Sequence, residues 1–158
     1  VRIGITGHRG LSDSIELTVR QLLRAELQTY DPSMLCGVSC IADGPDAWFA
    51  ELVLELGGHV EVVVPAEQYR EALPQSHHAT YDALLARAAK VHSTGMHEST
   101  SEAHMAGSEL MVGLVERMIA VWDGEPARGY GGTGDVVGHA HSAGVPVNVV
   151  WPEGATRD

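Results

Sequence analysis

The chain is 158 residues long, 44% hydrophobic, and carries a formal net charge of −11. That length suits one domain with a sizeable core, and no apolar run approaches the length of a membrane span. Ten Lys and Arg stand against 21 Asp and Glu, which argues against a general nucleic-acid backbone binder, since such a protein needs a basic surface.

The chain opens on V-R-I-G-I-T (residues 1–6), a short β-branched strand with no signal-peptide pattern, so a cytoplasmic location is expected. G-H-R-G at 7–10 follows at once. Asp13, with Glu16 three residues on, resembles a capping box. Ile15, Val19, Leu22, Leu23 and Leu27 then place an apolar stripe on a helix lasting to about Tyr30, and Asp31-Pro32 ends it. Residues 34–39 read as the second strand and 39–46 (S-C-I-A-D-G-P-D) as the second loop. A helix runs over about 45–56 with Pro45 in its first turn, where the missing N–H is not needed. Cys36 and Cys40, four apart in one apolar segment, face the same way on a strand but sit too far apart to bridge. They read as reduced core residues.

Gly57-Gly58 stops the helix, residues 59–64 form the third strand, and Pro65 closes it. Residues 66–89 read as helical with an interruption at Pro74, and 90–93 as a short fourth strand. The polar stretch 94–102 is a loop, either mobile or covering a ligand. Residues 103–117 form a helix with Met105, Leu110, Met111, Leu114 and Val115 apolar.

The stretch 118–146 organises the rest. M-I-A-V-W at 118–122 is a run without polar alternation, as a parallel strand covered on both faces requires. Asp123-Gly124 breaks it, and Gly129, Gly131, Gly132 and Gly134 crowd the next span. A helix follows with Val136, Val137, Ala140 and Ala143 apolar; Gly144 closes it, and 147–151 form the last strand. Strands alternate with helices throughout. The fold class is therefore α/β: a Rossmann-like, doubly wound, mostly parallel sheet with helices on both faces. Residues 1–152 make a single domain and 153–158 a flexible tail.

In such a fold ligands sit outside the carboxyl ends of the strands, where the loops at 7–10, 39–46 and 123–135 converge. Glycines abutting a helix start either make a loose turn or let backbone N–H groups approach an anion. Gly131, Gly132, Thr133 and Gly134 are thus a candidate phosphate cradle. Arg9, between Gly7 and Gly10, can hold a phosphate or carboxylate bidentately. His8 either bonds a ligand or caps local backbone. Asp46 either contacts a ribose or complements its helix N-terminus. Asp123 is a turn residue, or a group for ribose, metal or base catalysis. Asp135 is an N-terminal capping acid or, with Asp123, a candidate to activate water in a nucleotide N-glycoside hydrolase. None of the nine histidines shows the i, i+4 pairing of a helical zinc site, so no metal is expected. The G-x-G-x-x-G fingerprint is absent after the first strand, which excludes a standard dehydrogenase.

I-T-G-H-R-G at 5–10, S-C-I-A-D-G-P-D at 39–46, M-I-A-V-W-D-G at 118–124 and G-G-T-G-D at 131–135 stand in the order seen in the SLOG superfamily, and the chain resembles it over nearly its whole length. That group joins the DNA-processing protein DprA, the LOG enzymes and many small bacterial proteins. The resemblance implies a Rossmann-like domain that binds a nucleotide or nucleotide-derived phosphorylated ligand, commonly as a homodimer. The family's S-G-x-A-x-G-x-D loop is carried over as Ser39, Ala42, Gly44 and Asp46, with Cys40 where glycine is usual. The phosphate cradle is carried over as Gly131, Gly132 and Thr133. LOG-type phosphoribohydrolases carry P-G-G-x-G-T and then a catalytic glutamate; this chain has Y-G-G-T-G-D-V-V-G-H there, without that proline or glutamate. Three functions follow from the resemblance: nucleotide binding, LOG-like N-glycoside hydrolysis, and carriage of a phosphorylated cofactor such as the molybdenum cofactor.

Overall fold

The computed structural model describes residues 1–156. Six parallel strands form one sheet: β1 (Arg2–Gly7), β2 (Cys36–Ser39), β3 (His59–Val64), β4 (Lys90–Ser93), β5 (Arg117–Val121) and β6 (Val147–Val150). Their order across the sheet is β4-β3-β2-β1-β5-β6. The chain steps outward from β1 to one edge, then returns to the far side of β1. The direction therefore reverses between β1 and β5, which makes that crevice the switch point of the sheet. β1 and β5 are almost wholly buried, as central parallel strands must be, and both edge strands are only four residues long.

The helices are α1 (Asp13–Leu27), α2 (Pro45–Glu55), α3 (Tyr69–Ala72), α4 (His78–Ala86), α5 (Ser101–Leu114) and α6 (Thr133–Ser142). α1 packs on α2 and α2 on α4, while α5 packs on α6. Because parallel crossovers are right-handed, the reversal after β4 puts α5 and α6 on the face opposite α1, α2 and α4. α2 is the most deeply set, burying Ala47, Trp48, Phe49, Ala50, Leu52 and Val53. One acid interrupts the apolar run of β3. Glu61 receives the Arg2 fork at 2.9 and 2.7 Å and lies 2.7 Å from His92 Nε2, so β1, β3 and β4 are tied by a charge network away from the switch point.

Several element ends differ from the sequence expectation. Ser12, not Asp13, caps α1, accepting from the Ile15 amide; Glu16 lies in the first turn and pairs with Arg20 at 2.8 Å. α1 stops at Leu27, short of Tyr30. The segment 66–89 is not one broken helix: α3, a 3₁₀ turn (Gln75–His77) and α4 replace it, because Leu73 before Pro74 is held extended (ψ 156). α5 begins earlier and ends sooner than expected. Thr100 caps it through the Ala103 amide, and Val115 is extended (ψ 157), which releases Arg117 to pair with Ile3 as the start of β5. Cys40 lies past the end of β2, and both cysteines are free. At the expected tail, the Trp151 indole donates to the Ala155 carbonyl at 3.1 Å; residues 157 and 158 lie outside the described residues.

Candidate functional site

β1 is followed by His8 and Arg9, and each ties the first loop to another loop. The His8 amide donates to the Val121 carbonyl at 3.1 Å, extending the pairing of β1 with β5 by one residue. The imidazole is buried edge-on to Trp151, at 5.6 Å between centroids. Its Nε2 lies 3.2 Å from both the Asp123 carboxylate and the Asp123 amide. Protonated at Nε2 it donates to the carboxylate; unprotonated there, it accepts from the amide. Asp123 Oδ1 also accepts from the Glu125 amide at 3.0 Å, so this acid shapes the turn after β5. Arg9 reaches Asp43 of the second loop through Nε at 2.9 Å and through its terminal nitrogen at 2.6 Å, leaving the guanidinium about half exposed at the rim.

The second loop is held in a strained conformation. Ser39 Oγ, fully buried, accepts from the Ile41 amide and donates to the Asp46 carbonyl, both at 2.9 Å. Ile41 sits at φ +49, a region that β-branched residues avoid, and its carbonyl accepts from His77 Nε2 at 2.9 Å. Gly44 is the N-cap of α2, and its carbonyl accepts from the Ala47 and Trp48 amides. Pro45 closes tightly on Gly7: a Cβ there would lie 2.8 Å from Pro45 Cβ, so only glycine lets β1 and α2 approach so closely. Asp46 is thereby aimed from the first turn of α2 into the space above β1. Burial pushes its carboxyl up to about 7, against the downward pull of the Ala42 amide bond and the Arg9 charge.

The third loop runs from Asp123 to α6. Gly132 is the N-cap of α6 and no side chain caps the helix; in its first turn the Asp135 amide donates to the Gly132 carbonyl at 3.0 Å. The turn before it is stapled: Gly132 N donates to Gly129 O at 3.1 Å and Gly131 N to Asp135 Oδ2 at 3.0 Å. Gly131 has φ +85, and a Cβ there would lie 3.0 Å from the Ser101 carbonyl.

A cleft of about 440 Å³ opens where these loops meet. Of the residues proposed from sequence, Gly7, His8, Arg9, Asp46, Gly131, Gly132 and Thr133 line it. The others stand behind or away from its wall. Gly10 makes an outward turn at φ +72, Ser39 and Gly44 brace the second loop, and Gly134 packs on the backbone of 125–127. The carboxylates of Asp123 and Asp135 hold backbone amides, and the one carboxylate among the described lining residues is Asp46. The lining also contains Tyr69 from α3, His104 from α5, and Arg128 and Tyr130 from the third loop. Tyr69 and His104 meet edge-on at 5.7 Å, and burial, aided by the Arg9 charge, pushes the His104 pKa down. Sequence reasoning missed Arg128 and Tyr130, although a cation and a large ring in R-G-Y-G, among the glycines before a helix, are a signal that could have found them. Tyr69 and His104 carry no local signal, because they reach the cleft only through the fold. Among the described residues no group of three or more His, Cys, Asp or Glu is placed to hold a metal ion.

The strand order, the switch-point cleft and the glycine turn leading into α6 define a doubly wound, Rossmann-like fold. Solved structures share it. DprA from Streptococcus pneumoniae superposes with a TM-score of 0.68 at 18% identity, over 99% of this chain and 52% of that one. DprA from Helicobacter pylori, described for its single-stranded DNA binding mode, gives 0.70 at 16%, over 100% and 68%. The molybdenum cofactor carrier protein from Chlamydomonas reinhardtii gives 0.59 at 14%, over 94% and 74%. This chain thus spans about half the length of the Streptococcus pneumoniae protein. At these identities the likeness is one of fold. No protein-family model and no curated protein sequence matches the chain.

Proposed function

We propose that this protein binds a nucleotide or nucleotide-derived phosphorylated ligand in the cleft at the C-terminal rim of its sheet. One observation carries the reading: the uncapped start of α6 opens into a cleft that also holds Arg9 and Arg128, in a chain of net charge −11. Helix-start amides and guanidinium forks are the groups that suit a phosphate. The volume falls within the range of small-molecule sites. Ten Lys and Arg against 21 Asp and Glu favour a compact anion over a long phosphodiester. DNA and the molybdenum cofactor, bound or carried by two of the structural neighbours, are themselves phosphorylated. The homodimer implied by the SLOG resemblance belongs to the same reading; light scattering at twice the 16.8 kDa chain mass checks it. So does a reducing, cytoplasmic setting, consistent with two free thiols.

The test is a thermal-shift screen against nucleoside monophosphates, ADP-ribose, cyclic nucleotides, a phosphorylated pterin and inorganic phosphate. A native-state ligand raises the midpoint by mass action. A rise with one nucleotide or pterin class, lost in Arg9→Ala and Arg128→Ala, supports the reading. A cooperative melt that none of these compounds moves overturns it.

A second reading, nucleotide N-glycoside hydrolysis, is favoured by Asp46, a cleft carboxyl poised near neutrality. As acid it would protonate the departing base nitrogen while the C–N bond breaks. As base it would take a proton from the water that adds to the anomeric carbon. Release of free base by the wild type and its loss in Asp46→Asn supports this; no release above background rejects it.

A further inference from the structure

We propose that Tyr130 is the surface on which the ligand's ring lies, so that the site selects a phosphorylated ligand bearing a planar heteroaromatic ring over a plain sugar phosphate. The inference rests on the phosphate reading of the same cleft. Among the described residues Tyr130 is the one Phe, Tyr or Trp in the exposed class, at 61%, whereas Tyr69 and Tyr81 are buried and Tyr30 lies against Arg117. Its exposure does not come from a loose chain. The backbone on either side is stapled by the bond from Gly132 N to Gly129 O and by the Asp135 carboxylate on Gly131 N. The turn therefore holds a large ring at the cleft wall, beside Arg128 and next to the amides that begin α6.

The other aromatic groups of the cleft are differently placed. Tyr69 is buried and edge-on to His104, and His104 Nε2 lies 2.8 Å from Ser99 Oγ, so both rings are held in place by neighbours. Tyr130 alone offers an open face beside the cradle. An anionic group on 131–133 leaves the remainder of the ligand within reach of that face, because cradle and ring belong to one turn. Stacking on an aromatic face accepts any planar ring and is stronger for a heteroaromatic base than for an aliphatic sugar. The same geometry gives Asp135 its role. It is a positioning residue that fixes the turn carrying Tyr130, which accounts for a carboxylate aimed at a backbone amide and not at the cleft.

The experiment is titration calorimetry with AMP and ribose 5-phosphate on the wild type, Tyr130→Ala and Tyr130→Phe, each first shown to melt cooperatively. The expected result is tighter AMP than ribose 5-phosphate in the wild type. Tyr130→Ala should lose roughly tenfold or more for AMP and less than twofold for ribose 5-phosphate, and Tyr130→Phe should retain the preference. Equal affinities in the wild type, a parallel loss of both in Tyr130→Ala, or no loss at all overturns the ring-selecting role and leaves the phosphate reading standing. Failure of both compounds to bind the wild type overturns the ring-selecting role, and a thermal-shift panel that is silent as well overturns the phosphate reading with it. Loss of a dimer in Tyr130→Ala with the AMP preference intact reassigns the ring to a subunit contact and likewise overturns the proposal.

Discussion

Replacing Asp46 by Asn should make this protein more stable at neutral and alkaline pH, and the gain should disappear in acid. The carboxyl sits at the first turn of α2, lining the cleft, and burial raises it from the ordinary 3.8 to about 7. Between those two values the native chain holds a proton that the unfolded chain has released. Native stability therefore falls as pH rises through that window, and the full penalty is present above about 7. At about 1.4 kcal/mol per pH unit the span amounts to roughly 4 kcal/mol, and water reaching the open cleft brings it to roughly 2–4. Asn keeps the shape and the acceptor for the Ala42 amide but never ionises. Urea unfolding of both proteins from pH 4 to 9 isolates the effect, because the other carboxylates titrate alike in the two chains. The difference should be near zero at pH 4, grow through pH 6, and level off near pH 8 with the variant ahead. A variant less stable than wild type at pH 8, or a difference that does not grow with pH, would refute the placement of Asp46 in a desolvating wall. A residue that lowers stability at its working pH is characteristic of a site kept for function.

Three other outcomes test the remaining parts of the site. Arg9→Ala and Arg128→Ala each remove a charge-assisted contact of about 1.5–3 kcal/mol, so AMP affinity measured by calorimetry should fall roughly 10- to 100-fold, and an unchanged Kd for both removes them from the site. Gly131→Ala meets both φ +85 and the Ser101 carbonyl at 3.0 Å, and should cost roughly 1–3 kcal/mol in urea while weakening AMP. Gly10→Ala, at φ +72 in open space, should cost about 1 kcal/mol and leave AMP binding alone; equal binding losses in the two would contradict the cradle. His77→Ala orphans the carbonyl of the strained Ile41, so a stability loss of about 1–3 kcal/mol is expected by chemical denaturation, and a loss under about 0.5 kcal/mol shows that the 39–44 loop does not depend on it.

Local pattern carried most of the architecture. The β-branched run of β3, the uninterrupted apolar run of β5, the stripe of α1 and the glycine stops after α2 and α6 are short-range signals, and they located every strand to within a residue or two. What failed locally failed for local reasons of another kind: Ser12 caps α1 in place of Asp13, Thr100 starts α5 ahead of the expected Ala103, and Leu73 yielded to the proline after it. The glycine turn before α6 and Arg9 were legible as rim residues because each follows a strand or precedes a helix start, and both line the cleft. The partition among the acids was not legible. Asp46, Asp123 and Asp135 each follow a strand or open a helix, and nothing in their neighbours says which faces solvent, which holds an amide and which lines a wall. That was decided by the return of β5 beside β1. It set His8 against Asp123, brought Tyr69 and His104 from distant segments to the cleft, and left Asp46 as the carboxylate lining it. Periodicity and turn chemistry act over a few residues and are written in order along the chain. A site's electrostatics depend on which side chains share a desolvated volume, and only the packed sheet determines that.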